Sequence, residues 1–149
     1  MATNLLNTKG FLFIQNKIYM NKIILVTASI LGMLAIVLGA FASHGLRGSI
    51  SVESLQTFET GVRYQMYHAI VLLFVGIAGV FSMKTKRLLF YLVIIGVLFF
   101  SGSIYGLATN ELSSFDFKSI GFVTPIGGLL LIISWVVMFV NFLKLKTNK

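Results

Sequence analysis

Three stretches of this chain run without a charged residue for as long as a membrane is thick. Residues 23–43 make 21, residues 88–109 make 22 and residues 120–143 make 24. At 1.5 Å per residue, each gives a helix of about 30 Å or more, which matches the hydrocarbon core of a bilayer. Lipid offers no hydrogen bonds to the backbone, so such stretches must be helical. Composition points the same way. Hydrophobic residues make up 57% of the 149 and charged ones 11%, against about 25% charged in an ordinary soluble domain. That leaves too little polar surface to clothe a water-soluble fold. A soluble globular protein, a disordered tail and a collagen-like rod are excluded. The chain has no cysteine, which removes disulfide scaffolds, thiolate zinc sites and thiol catalysis. The expected class is an all-α integral membrane protein.

A fourth span is less obvious. Residues 69–83 give only 15 uncharged residues, about 22 Å of helix. To cross, this helix must reach back to Tyr64 and carry Gln65 and His68 with it. Arg63 then lies at the boundary, where its long side chain can snorkel. The spans are therefore expected at about 23–43, 64–83, 88–109 and 120–143. Small residues four apart (Ala28 and Gly32, Ala35 and Gly39, Gly102 and Gly106) let helices approach closely, which predicts a compact four-helix membrane bundle. Residues 1–19 read as a leader. Asn4, Asn7, Lys9, Asn16 and Lys17 interrupt a short apolar stretch, and no signal-peptide pattern is clear. Met20, followed by Asn21-Lys22 and a long apolar run, looks like the natural initiator. Residues 20–149 then form one four-span domain.

Charge sets the orientation. Lys9, Lys17 and Lys22 precede span one. Lys84, Lys86 and Arg87 lie between spans two and three, and Lys144, Lys146 and Lys149 follow span four. Arg47, Arg63 and Lys118 fall on the other side, with all four acidic residues. The positive-inside rule puts both termini and the middle connection in the cytoplasm. The net charge of +8 is thus explained by topology and lipid headgroups, and no nucleic-acid partner is expected.

The connection at 44–63 is amphipathic. Leu55, Phe58, Val62 and Met66 recur at helical spacing, Ser51 can cap the start, and Glu53 sits in the first turn. A short interfacial helix is expected here, between spans one and two and running into span two. Before the fourth span, Thr124-Pro125 reads as an N-cap followed by a proline at the first helical position; the alternative is a longer helix from near Ile120, kinked at the proline.

Four strings fall in order along the chain: Gly39-Ala40-Phe41-Ala42-Ser43-His44-Gly45-Leu46, Tyr64-Gln65-Met66-Tyr67-His68-Ala69, Phe100-Ser101-Gly102-Ser103-Ile104-Tyr105, and Thr124-Pro125-Ile126-Gly127-Gly128 with Trp135 following. Together they resemble the small multi-pass inner-membrane proteins related to transmembrane protein 256, the domain-of-unknown-function 423 family. The resemblance covers about residues 22–143. The family usually has Gly-Ala where this chain has Ala42-Ser43, a swap between small residues. The resemblance implies a multi-pass protein of the bacterial inner membrane. It implies no established activity, so it carries over no catalytic residue.

The polar residues of these strings converge on one side in the expected topology. His44, Arg63, Tyr64, His68, Ser101, Ser103, Tyr105 and Thr124 make a candidate outer-face polar pocket, because polar groups at membrane depth usually face the bundle interior or a wet cavity. Each also has a plainer role. Such groups satisfy helix ends or sit in the headgroup belt, and serine commonly bonds the carbonyl one turn back. His44 and His68, with Glu59 in reach, fall short of the three or four ligands zinc wants. No carboxylate lies inside a span, so neither a Ser-His-acid triad nor a carboxylate-based proton pump is expected. No catalytic residue, cofactor or metal is therefore assigned. The reading is a non-enzymatic structural, interaction or envelope-supporting protein, with the bilayer and either a membrane-protein partner or further copies of itself as its company. The alternative is a small oligomeric transporter or channel using the pocket around His44 and His68.

Overall fold

A computed structural model describes the backbone of residues 2–145 and the side chains of residues 12 and 14–145. Four helices carry the described chain: α1 (Ala2–Phe41), α2 (Val52–Ile77), α3 (Met83–Ala108) and α4 (Val123–Leu143). The described residues contain no strand. Among the described residues, three segments are long and apolar enough to cross a membrane: Ile14–Leu46, Met83–Ala108 and Phe117–Leu143.

α1 has 40 residues, about 60 Å of helix and twice a hydrocarbon thickness. Part of the leader at 1–19 falls outside the described side chains. Residues 14–19 are exposed, and Met20 is the first buried side chain among those described. α1 ends in a π-helical turn, Ala42–Leu46, and the chain reverses at Gly48, whose φ of 87° suits a residue without a Cβ.

α2 starts where Ser51 accepts a hydrogen bond from the Ser54 amide, with Glu53 in the first turn. The amphipathic segment after Ser51 is continuous with the second apolar segment. It is the first half of one unbroken 26-residue helix, because nothing in 52–66 breaks the backbone pattern. The far end differs from the expected span 64–83. α2 stops at Ile77, residues 78–82 turn, and Ser82 caps α3 by accepting from the Thr85 amide. Gly79-Val80-Phe81 is apolar enough to read as helix, yet the Ser82 cap starts a new helix there. Lys84, Lys86 and Arg87 consequently belong to the first turns of α3 rather than to a loop.

α4 begins at Val123 without a side-chain cap, so Thr124 is not the N-cap. Pro125 is third in the helix, within the first turn, where backbone N–H groups have no intrahelical partner and a missing one costs nothing. The Thr124 hydroxyl is left available for another helix.

The helices pack in sequence: α1 on α2, α2 on α3, α3 on α4. Among the described residues α1 and α4 make at most marginal contact, so the expected four-helix arrangement is a row open on one side. The small residues explain why. On α1, Gly32 faces Ala69 and Gly39 faces Val62, both on α2. On α4, Gly127 lies against the backbone of Phe99 and Phe100 in α3, so close that a Cβ there would overlap it. Neither end helix has a second small-residue face to offer the other. Gly102, expected to mediate a close approach, has open space around it.

Two apolar clusters result. The larger joins Ile24, Leu72, Val75, Leu89, Val93 and Leu131 across all four helices. The smaller gathers Ala42, Leu46, Phe58 and Ala108 at the end holding the α1–α2 and α3–α4 connections. Buried polar side chains lie between them.

Candidate functional site

A belt of polar groups crosses the helix row between the two clusters. On α2 it consists of Gln65 and His68, which are 5% and 4% exposed. On α3 it consists of Ser101, Ser103 and the Tyr105 hydroxyl, with Ser101 and Ser103 both buried. Thr124 joins it from α4. Helical periodicity explains the gathering. Gly61, Tyr64 and His68 form a stripe on α2, and Val97, Ser101, Ile104 and Ala108 form a buried stripe on α3. The two stripes meet where Gly61 lies against Ile104 and Tyr105, and where the Tyr64 and Phe100 rings sit 4.8 Å apart.

The belt is knotted by hydrogen bonds between helices. Gln65 Nε2 donates to the Leu31 carbonyl of α1 at 2.9 Å, and the Tyr105 hydroxyl of α3 donates to Gln65 Oε1 at 3.0 Å. One amide thus joins three helices. Ser103 Oγ lies 2.7 Å from Thr124 Oγ1, joining α3 to α4, and the Ser103 hydroxyl also approaches the Phe99 and Phe100 carbonyls. A groove of about 300 Å³ between α1 and α3 is lined by leucine, isoleucine and valine, with Gln65 and Tyr105 as its polar lining.

His68 stands apart from these knots. Its Nδ1 lies 2.8 Å from the Tyr64 carbonyl. A carbonyl only accepts, so this nitrogen carries the proton, and the neutral ring then presents Nε2 as an acceptor. Nε2 is buried and meets no protein partner, and the same is true of Ser101 Oγ.

The eight residues singled out in the sequence therefore divide. Ser103 and Thr124 meet directly. Tyr105 is brought into the belt through Gln65, and Tyr64 packs between His68 and Phe100. Ser101 and His68 are buried on facing stripes. Arg63 is exposed and donates to Thr60 Oγ1 at 2.9 Å. His44 is exposed in the π-helical turn. Phe58 packs near Phe41, just before that turn, and His68 is ten residues farther along α2, about 15 Å deeper. The two histidines do not share one pocket.

A second knot escaped sequence reasoning. Lys86 is 1% exposed. Its Nζ donates to Asn21 Oδ1 of α1 and to the Gly76 carbonyl of α2, each at 2.9 Å. Nearby, Thr85 Oγ1 donates to Asn141 Oδ1 of α4 at 3.4 Å. The available signal was register, since Lys86, Leu89, Val93 and Val97 fall on one stripe of α3. Gln65 was legible as a costly amide in an apolar helix, but its partners were not.

The arrangement defines a small all-α membrane protein whose helices are joined in the interior by polar side chains. The chain belongs to the family described as "Protein of unknown function (DUF423)", which matches residues 38–128. It is 38% identical over 128 residues to the UPF0382 membrane protein YwdK of Bacillus subtilis, covering 83% of this chain and 98% of that protein. A UPF0382 membrane protein of Haemophilus influenzae is 37% identical over 116 residues, covering 78% and 90%. Another, from Staphylococcus aureus, is 35% identical over 119 residues, covering 80% and 93%. No solved structure matches the chain.

Proposed function

We propose that this is a non-enzymatic multi-pass protein of the bacterial cell membrane that acts by assembly. Its four helices all cross, with both termini and the α2–α3 turn in the cytoplasm. The positive-inside split of basic residues supports that orientation, and the amphipathic first half of α2 then rises to the outer interface. One observation carries the functional reading. Gln65, Ser103, Tyr105 and Thr124 are engaged in bonds between helices rather than turned toward a common passage. The row left open between α1 and α4 leaves apolar helix faces for lipid, a membrane-protein partner or further copies of the chain.

Purification in mild detergent at native expression level tests this, with total mass and co-purifying components measured together. The expected result is a defined complex, with another protein or with itself, that passes no protons or monovalent cations when placed in liposomes. A flux abolished by His68→Ala at unchanged folded yield overturns the reading in favour of a transporter.

A further inference from the structure

The two halves of the helix row carry different balances of charge. The half nearer the α1–α2 and α3–α4 connections holds all four acidic residues, Glu53, Glu59, Glu111 and Asp116, beside Arg47, Arg63 and Lys118. The half nearer the α2–α3 turn holds Lys17, Lys22, Lys84, Lys86, Arg87 and Lys144, and among the described residues it holds no acidic side chain. Two bonds gather these cations. Neighbouring residues of α3 reach in two directions, Lys86 to Asn21 of α1 and Thr85 to Asn141 of α4. Lys22 follows Asn21, Lys84 and Arg87 flank the bonded pair, and Lys144 comes about one turn after Asn141. All four of these side chains are exposed. Lys17, also exposed, lies close enough to Lys86 for their charges to repel.

Beneath each of the four cations lies an exposed apolar side chain. It stands four residues toward the middle of the same helix, and so on the same face. Val26 lies beneath Lys22, Leu88 beneath Lys84, Tyr91 beneath Arg87 and Val140 beneath Lys144. A free anion has no use for that apolar band. A phospholipid has, because its headgroup is charged and its chains are not. We propose that the ends of α1, α3 and α4 form a docking surface for anionic phospholipid headgroups, with the lipid chains lying on the apolar band. It rests on the crossing and orientation proposed for the four helices, which put this end at the cytoplasmic surface. Cations clustered beside a membrane-spanning helix attract anionic lipid, each by up to about fivefold. The opposite half, where acidic residues outnumber basic ones, does not.

The full chain is reconstituted in vesicles of equal parts phosphatidylcholine and phosphatidylglycerol, with a trace of spin-labelled lipid of either kind. Electron paramagnetic resonance then reads the motionally restricted lipid at the protein surface. Averaged over every lipid contact, that lipid is expected to be several-fold enriched in phosphatidylglycerol, and sodium chloride should shrink the enrichment by screening. Replacing Lys22, Lys84 and Arg87 together by glutamine brings it near parity, and Arg47→Gln with Lys118→Gln leaves it unchanged. If the triple variant folds poorly, the single substitutions are compared with Arg47→Gln, and each is expected to lower the enrichment where Arg47→Gln does not. Equal restriction of the two lipids overturns the proposal. So does an enrichment that survives neutralisation of the three cations, or one that the Arg47 and Lys118 variants lower equally. Loss of the enrichment to inorganic phosphate, where chloride at the same ionic strength spares it, would show a free-anion site and also overturn it. Both leaflets of these vesicles carry the anionic lipid, so the result does not depend on the direction of insertion. A wrong orientation shows only in side-specific labelling of cells and leaves this result standing.

Discussion

α3 is tied to its neighbours twice, once near each end, by the same plan and different chemistry. Near its start, Lys86 joins α3 to α1 through Asn21 and to α2 through the Gly76 carbonyl. Toward its end, Tyr105 reaches Gln65, which reaches Leu31, and the same three helices are joined again. Each tie has a companion to α4, Thr85–Asn141 at one end and Ser103–Thr124 at the other. One knot is built on an ammonium and the other on an amide. A buried charge without its partner is far more costly than a buried neutral group. The Lys86 knot must therefore stay closed, aided by the negative end of the α2 dipole at Gly76. The Gln65 knot can loosen at modest cost, because membrane-embedded neutral hydrogen bonds contribute little each.

That contrast orders the effects of substitution. Asn21→Ala leaves the Lys86 ammonium with one carbonyl and is expected to destabilise by about 2–3 kcal/mol, read by denaturant titration of the purified protein in detergent. Lys86→Met removes the charge together with its need for partners. It is expected to cost about 1 kcal/mol, clearly less than Asn21→Ala, since an apolar replacement of similar shape often substitutes for a buried ion. Equal losses would mean that the ammonium is hydrated and that the two knots do not differ in kind. In the neutral knot, Gln65→Leu and Tyr105→Phe should each cost about 1 kcal/mol, and a double-mutant cycle should give a coupling of roughly 0.6 kcal/mol. Ser103→Ala should cost only a few tenths of a kcal/mol, because Thr124 Oγ1 can turn to a backbone carbonyl of the turn just before α4.

The difference between the knots also shows what could be read from the sequence. Uncharged runs located the second half of α1 and most of α3 and α4, and Ser51 with Glu53 located the start of α2. These signals are local. The turn after Ile77 was hidden because Gly79-Val80-Phe81 is apolar, and hydropathy does not distinguish a helix from a turn of the same composition. Thr124-Pro125 has the composition of a cap, yet a proline is tolerated at any first-turn position, so the dipeptide could not fix the boundary. Tyr105 and Thr124 stood out as polar groups in apolar surroundings. Lys86 did not, because three basic residues together read as a cytoplasmic loop until the α3 register is known. The open row depended on which way each small-residue face points, and that is settled by pairs such as Gly127 with Phe99 and Phe100 rather than by either partner alone.

Both knots have their proposed meaning only if α2 crosses the membrane, so that its two knot members, Gly76 and Gln65, lie toward opposite faces. The chain has no cysteine, which makes single-cysteine labelling in intact cells and in opened membranes a direct measurement. Ser49→Cys, Gly79→Cys, Ser114→Cys and Leu145→Cys sample the three connections and the end of α4. A membrane-impermeant maleimide should label positions 49 and 114 in intact cells, and positions 79 and 145 only after the membrane is opened. Labelling of 49 and 79 from the same side would contradict the account, because α2 would then lie along the membrane and the Gln65 knot would not be an interior tie.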